Sequence, residues 1–122
     1  KTNSFNNLHF VGHQIPEILA KTHNIAKLSI MPSRAEGFGI TGLEAMGCGL
    51  PIIVTQDTEP ANFAIGKIIA QENPEQLAQA ILDILELPAT QYQKLSEQAE
   101  HAAQQFSWEA VAKTRLQYYG KR

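Results

Sequence analysis

Two glutamates with seven residues between them, Glu36 and Glu44, flank a glycine-rich stretch of this 122-residue chain. Gly37 and Gly39 let the backbone approach a ligand closely. The helix predicted from about Ile40 onward points unpaired N–H groups and the positive end of its dipole at the same place. This arrangement favours an anion, most simply a phosphate or a diphosphate.

The two carboxylates need partners other than that anion, because a phosphate repels a neighbouring carboxylate. Sugar hydroxyls are suitable partners for Glu36, which lies beside the predicted anion site. Glu44 lies about one turn into the helix, where it can accept hydrogen bonds from a vicinal diol such as that of a ribose. The combination favours a ligand that carries both phosphate and sugar hydroxyls.

Interpretations without a ligand stay open for each acid taken alone. Thr41-x-x-Glu44 matches a capping box, in which the glutamate only satisfies the start of a helix. Glu36 on a polar loop is also compatible with a solvated turn residue. Neither interpretation explains why both acids flank the same glycine-rich helix start.

A dinucleotide-binding fingerprint is a further alternative. Residues 37–42 match G-x-G-x-x-G, follow a predicted strand, open a helix and are followed by Asp57 just after the next strand. Against it, residues 33–36 separate the strand from the glycines, residues 47–49 end the helix early, and Glu36 would face the pyrophosphate. We therefore rank this interpretation below the phosphate-and-sugar site.

Composition limits the class of protein. The chain has ten Lys and Arg residues against twelve Asp and Glu residues, a net charge of −2, and so no positive excess for nucleic acid. No apolar run is long enough to span a bilayer, and the polar start lacks a signal-peptide pattern. Cys48 is the single cysteine, so a cytoplasmic setting is the default expectation. The four histidines and Cys48 show no metal-ligand spacing, and we expect no metal and no cofactor.

The elements that position the candidate residues alternate between strand and helix. Short apolar runs bounded by Gly or Pro predict buried parallel strands, and 3.6-residue periodicity predicts helices. The predicted strands are Leu8–Val11, Leu28–Met31, Pro51–Thr55 and Lys67–Ala70. The predicted helices are Ile15–His23, Thr41–Cys48, Pro74–Leu85 with Asn73 as N-cap, Gln91–Gln105, and a last helix capped by Ser107. The predicted inward-facing residues are Ile15, Ile18, Leu19, Leu43, Ala45, Met46, Leu77, Ala80, Ile81, Ile84, Leu85, Leu95, Ala99, Ala102, Ala103, Trp108, Val111, Ala112 and Tyr119. We therefore predict one α/β domain with a parallel sheet of about four strands, flanking helices and a helical C-terminal region.

The stretch from Pro32 to Pro51 resembles the C-terminal domain signature of retaining GT-B glycosyltransferases of group 1, which contains two glutamates separated by seven residues. The matching elements are Pro32-Ser33, Glu36-Gly-Phe-Gly39, Leu43-Glu-Ala-Met46 and Gly49-Leu-Pro51. The similarity extends to His9-Phe-Val-Gly12, Ile52–Val54, the Pro74–Leu85 helix and Phe106-Ser-Trp108. The resemblance implies a Rossmann-like domain that binds a nucleotide-diphospho-sugar donor, and one half of a GT-B fold.

Residue roles follow from this resemblance. It implies that Glu36 is the catalytic carboxylate against the donor sugar and that Glu44 holds ribose hydroxyls. The other implied donor-binding residues are Gly37, Phe38, Gly39 and Ile40 through their backbone N–H groups, Thr41 through its hydroxyl, and His13 and Ile15 in the turn that borders the base.

The resemblance also implies parts that this chain does not contain. An N-terminal acceptor-binding domain of the same protein and a basic pair that grips the diphosphate are expected upstream of Asn3, so the chain alone is expected to be inactive. Polysaccharide or lipid-linked acceptors are common in the family, which leaves room for peripheral membrane contact by the full-length protein. Residues 56–63 depart from the family's Gly-Gly and acidic residue. The alternative function is a non-catalytic nucleotide-binding or interaction module of Rossmann type.

Overall fold

The computed structural model describes residues 5–107 and positions 109 and 112, and within them strands and helices alternate up to the third strand. The helices of this part are α1 (Pro16–Ile25), α2 (Ile40–Gly47), α3 (Pro74–Leu85) and α4 (Ala89–Gln104). The strands are β1 (Ser29–Met31), β2 (Ile52–Thr55) and β3 (Gly66–Ile69), and a 3₁₀ helix, Glu59–Asn62, follows β2. The predicted α/β class is confirmed.

The strands form one parallel sheet in the order β1-β2-β3. Ser29 of β1 lies opposite Ile52, and Ile52 lies opposite Gly66 of β3. The central strand β2 is buried along its whole length. A strand covered on both faces explains the continuous apolar run that predicted it.

Side chains of β2 point alternately to the two faces of the sheet, and each face has its own apolar cluster. On one face β2 packs against α2, which in turn packs against α4; on the other face β2 packs against α3. The first cluster contains Ala45, Met46, Leu50, Ile52, Val54 and Ala99, and the second contains Ile53, Ile69, Ala80 and Ile84. Helix α2, which follows the glycine-rich stretch, is thereby fixed against the sheet.

The strand predicted over Leu8–Val11 is not formed. These residues pair with no other strand of the described structure, and the Phe10 side chain is 91% exposed. Because the run buries little apolar surface, nothing offsets the entropy lost in ordering an extended backbone there. The described sheet therefore has three strands, and the apolar run belongs to an irregular segment before α1.

Helix α3 has the bounds that its sequence predicts. The Asn73 side chain accepts a hydrogen bond of 3.0 Å from the backbone N–H of Gln76, and Pro74 occupies the first helical position. The next helix, α4, begins at Ala89, two residues before the predicted start at Gln91. Of the last predicted helix, Trp108, Val111 and Tyr119 lie outside the described residues.

Some predicted inward-facing residues are exposed. Leu85 is 54% exposed because it lies at the edge of the apolar stripe of α3, about 100° around the helix from the buried Ile84. Ile15 and Ile18 are exposed because α1 packs mainly against α2 rather than against the sheet. Ala112 is also exposed.

In the part of the chain that the structure describes, no helix is both long enough and apolar enough to cross a membrane.

Candidate functional site

The glycine-rich stretch connects the end of β1 to the start of α2. Gly39 is the N-cap of α2 with φ 77° and ψ 44°, a left-handed conformation that glycine adopts without steric cost. Its carbonyl accepts hydrogen bonds from Gly42 and Leu43. The N–H groups of Ile40 and Thr41 donate to no acceptor among the described residues. Unpaired N–H groups are therefore present at the start of this helix, as the sequence predicts; their contact with a donor stays a prediction.

The three glycines of the G-x-G-x-x-G pattern have different surroundings. A Cβ atom added to Gly39 would lie 2.4 Å from Pro60 Cγ, and one added to Gly42 would lie 2.9 Å from Met31 Sδ. A Cβ atom on Gly37 would meet nothing within 4 Å. Gly39 and Gly42 therefore serve packing within the fold, and Gly37 is the glycine that leaves space for a ligand.

Glu36 is exposed on the loop before α2, and one of its oxygens is held. Ser33 Oγ donates to Glu36 Oε2 at 2.9 Å. Ser33 is attached to the sheet in turn, because the hydroxyl of Thr55 at the end of β2 donates to the Ser33 carbonyl. The carboxylate predicted to face a donor sugar is thus linked to the carboxyl edge of the sheet, where ligands of parallel α/β folds bind.

Arg34, the cation nearest to the glycine bend in sequence, is already paired. Its guanidinium forms an ion pair of 2.7 Å with Glu72, and both side chains are largely exposed. Gln71 Nε2 donates to the Arg34 carbonyl at 3.1 Å and to the Gln56 carbonyl at 3.3 Å. The turn between β3 and α3 therefore holds the loop that carries Glu36, and the charge of Arg34 is partly neutralised.

Glu44 takes no part in capping α2. Because the cap is Gly39 rather than Thr41, and no side chain bonds to the helix start, the predicted alternative of a capping box is wrong. The carboxylate of Glu44 makes no hydrogen bond or ion pair with any described residue, and its side chain is exposed. Glu44 is therefore available to an external partner.

Glu44 lines a cavity of about 550 Å³ between α2 and the end of α4. The α2 side contributes Phe38, Ile40, Leu43, Glu44 and Gly47, and the other side contributes Glu100, Ala103, Gln104, Phe106 and Ser107. Glu36 does not line this cavity. The structure thus places Phe38, Ile40 and Glu44 around one space and leaves Glu36 on the loop beside it.

Three aromatic rings pack together beside this cavity. No pattern in the sequence predicts this cluster. Phe38 lies with its ring centroid 6.0 Å from that of Phe63 and 5.9 Å from that of Phe106, which are themselves 5.4 Å apart. Such distances are typical of favourable aromatic pairs. Phe63 follows the 3₁₀ helix and Phe106 follows α4, so no sequence spacing relates the three rings. They join the glycine-rich loop to the end of α4.

His13 and Ile15 lie at the start of α1. His13 is exposed, and Ile15 is the N-cap residue of α1, whose carbonyl accepts from Ile18 and Leu19. Neither residue lines the cavity at Glu44. Their role at a nucleotide base stays a prediction, as do the donor contacts of residues 37–41.

Among the described residues, no three His, Cys, Asp or Glu side chains come together in a way that could hold a metal ion. Cys48 is partly buried at the end of α2, and Met46 is fully buried in the first apolar cluster, as predicted for a core residue.

Comparison with known proteins gives one consistent result. The family model described as glycosyl transferases group 1 matches residues 1–103. A D-inositol 3-phosphate glycosyltransferase of Rhodococcus erythropolis is 32% identical over 92% of this chain and 26% of its own length. A glycogen synthase of Mycobacterium tuberculosis is 30% identical over 90% of this chain and 28% of its own length.

A solved structure supports the same fold. Sucrose-phosphate synthase from Thermosynechococcus elongatus superposes with a TM-score of 0.82 at 30% sequence identity, over 95% of this chain and 30% of that one. The chain therefore spans about a quarter to a third of the proteins that it matches.

Proposed function

Because the chain belongs to the glycosyl transferases of group 1, we propose that it forms the donor-binding part of a retaining glycosyltransferase and holds a nucleotide-diphospho-sugar. The observation that carries the proposal is the start of α2. There, free N–H groups at Ile40 and Thr41 lie between two exposed carboxylates, and the fold does not use Glu44.

The free N–H groups suit the diphosphate of the donor. Backbone donors at a helix start bind phosphate oxygens, and the helix dipole adds a favourable field. When the bond between sugar and diphosphate breaks, negative charge grows on the leaving phosphate, and donors already in position stabilise it without reorganising. Gly37 leaves the space that a phosphate or sugar needs to approach the backbone.

In this proposal, Glu36 and Glu44 bind the parts of the donor that carry hydroxyl groups. Glu44, at the cavity between α2 and α4, accepts hydrogen bonds from ribose hydroxyls. Glu36 contacts the donor sugar, where its negative charge favours the positive charge that develops on the sugar ring. The Glu36 oxygen not bonded to Ser33 is the one available to the sugar.

Further positive charge for the diphosphate comes from outside the described residues in this proposal. Arg34 is paired with Glu72 and is largely exposed, so its charge is weakly available to a phosphate. A second domain of the same protein, with basic residues facing α2 and with the acceptor site, completes the enzyme. The acceptor and the sugar belong to that complete protein.

The test is calorimetric titration of the full-length protein containing this chain with UDP-, GDP- and ADP-linked sugars. We expect one of the three series to bind. Glu44→Ala should weaken that binding at least tenfold, because a hydrogen bond to a charged group contributes about 1.5–3 kcal/mol and every 1.4 kcal/mol is a factor of about ten in affinity. The matched control is Glu97→Ala, which removes an exposed glutamate of α4 outside the cavity.

Two results would contradict the proposal. Equal binding by the wild type and Glu44→Ala removes the role of Glu44 at the ribose. Absence of binding to all three series by the folded full-length protein favours a non-catalytic module instead.

A further inference from the structure

We propose that Ser33 is a positioning residue for Glu36 and sets the orientation of its carboxylate toward the donor sugar. This inference rests on the proposed function, in which Glu36 contacts that sugar. Ser33 itself touches neither the sugar nor the reacting bond in this proposal. It acts through the hydrogen bond of 2.9 Å from its Oγ to Glu36 Oε2.

An unrestrained glutamate on an exposed loop populates several rotamers. Restricting a glutamate side chain to one rotamer costs conformational entropy. The Ser33 hydroxyl already restricts Glu36 in the unliganded protein, because it donates to Oε2. The other oxygen, Oε1, has no partner among the described residues. A larger fraction of molecules then has the carboxylate ready for the reaction, which is the general advantage of a preorganised site.

Ser33 can restrain Glu36 only because its own backbone is fixed. The Thr55 hydroxyl donates to the Ser33 carbonyl, and the Thr55 side chain is only 2% exposed at the end of the central strand β2. Thr58 Oγ1 donates at 2.7 Å to the Thr55 carbonyl. A series of hydroxyl hydrogen bonds therefore leads from the buried end of the central strand to the carboxylate.

The loop is also held on its other side. Gln71 donates to the carbonyl of Arg34, the residue next to Ser33, and Glu72 pairs with the Arg34 guanidinium. Because the backbone is held at residues 33 and 34, the Ser33 side chain reaches Glu36 from a fixed point of attachment. This anchoring favours a role for Ser33 in positioning Glu36 over an incidental hydrogen bond between two residues of a mobile loop.

We expect substitution of Ser33 to change the rate of the sugar-transfer step rather than the affinity for the donor. Loss of the Ser33 hydroxyl leaves Glu36 charged and close to the same place but lowers the fraction with the reactive orientation. We expect Ser33→Ala in the full-length protein to lower kcat about tenfold, with KM for the donor changed less than twofold. Ser33→Thr, which keeps a hydroxyl, is expected to restore most of the rate.

The readout is hydrolytic release of nucleoside diphosphate from UDP-, GDP- and ADP-linked sugars, in which water accepts the sugar, with melting temperature measured on every variant. Asn62→Ala is the matched control. Asn62 donates to Glu59 at 2.9 Å. Like the bond from Ser33 to Glu36, this bond spans three residues and is exposed, so Asn62→Ala removes a similar bond from another carboxylate. If Ser33→Ala does not fold, Ser33→Cys carries the test, because its thiol fills the position but is only a weak donor, and the same loss of kcat is expected.

Glu36→Gln separates this inference from the proposed function. If Glu36→Gln keeps the full rate, the proposed role of Glu36 fails and the role of Ser33 fails with it. If Glu36→Gln loses the rate while Ser33→Ala keeps it, only the inference about Ser33 is overturned. A further loss from Ser33→Ala in a Glu36→Ala background would also overturn it, because a residue acting through the Glu36 side chain has no effect once that side chain is gone.

Discussion

Gly39 packs directly against Pro60: a β carbon on the glycine would lie 2.4 Å from Pro60 Cγ. The contact joins the N-cap of α2 to the 3₁₀ helix that follows β2. A glycine is therefore required at position 39 for two reasons: its backbone is left-handed, and a side chain would collide with Pro60. The glycine-rich stretch is a packing feature as well as a candidate binding loop.

Gly39→Ala should destabilise the fold. We expect a loss of about 1–3 kcal/mol in the free energy of unfolding from the left-handed conformation alone, and more from the contact with Pro60. Gly37→Ala is the control, because its β carbon meets open space and should change stability by less than about 0.5 kcal/mol. Urea unfolding followed by circular dichroism measures both. Equal stability of the two variants would contradict the role of the Pro60 contact.

Gly37→Ala should instead affect ligand binding. The added methyl group occupies the space through which a phosphate or sugar approaches the backbone, so we expect weaker binding of the nucleotide sugar with unchanged stability. Titration calorimetry on the full-length protein checks this. Unchanged affinity would mean that the donor does not approach Gly37.

Glu44→Ala should leave the stability of the domain nearly unchanged. A capping-box glutamate contributes about 1 kcal/mol to its helix, but α2 is capped by the backbone of Gly39 with no side-chain bond. We expect a change in the free energy of unfolding within about 0.5 kcal/mol. A loss of 1 kcal/mol or more in urea unfolding would restore the capping interpretation.

Asn73→Ala should lower stability by about 1 kcal/mol, because it removes the side-chain acceptor for the N–H of Gln76 at the start of α3. Asn73→Asp keeps an acceptor and should remain close to the wild type. Thermal unfolding of the three proteins checks the ranking. If all three unfold at the same temperature, this cap contributes nothing measurable.

Tyr92 should make stability sensitive to alkaline pH. Burial raises the pKa of the Tyr92 hydroxyl above its ordinary value of 10.0, because the charged phenolate is poorly solvated there. A pKa raised by folding stabilises the native state at pH values below 10, and this contribution is lost as the pH rises through the folded-state pKa. Stability should therefore fall above about pH 10, and less steeply in Tyr92→Phe.

The comparison of the two proteins isolates Tyr92, because every other residue is the same in both. At neutral pH, Tyr92→Phe also loses the 2.8 Å hydrogen bond to the Lys27 carbonyl, which should cost about 0.5–1 kcal/mol. Urea unfolding at pH 7 and between pH 9 and 11 measures both effects. Parallel pH profiles would show that Tyr92 does not carry the alkaline dependence.

Local sequence patterns predict the helices and strands whose signals all lie within one short stretch of the chain. Helix α3 has its predicted bounds because its cap, its proline and its apolar stripe all lie within thirteen consecutive residues, 73–85. Strand β2 was predicted as a continuous apolar run because a central strand is covered on both faces. The strand predicted over Leu8–Val11 failed because pairing and cover depend on neighbours that an apolar run does not specify.

The family and the two glutamates around a glycine-rich helix start can be stated from the sequence, because residue types and spacing are enough for both. The way in which these residues are used depends on contacts that form only in the folded protein. Gly39 turned out to be a cap against Pro60, Glu44 to be uninvolved in capping, and Ser33 to be held by Thr55 from twenty-two residues away. Contacts between distant parts of the chain depend on how the sheet and helices pack, and that information is spread over the whole fold rather than over any one motif.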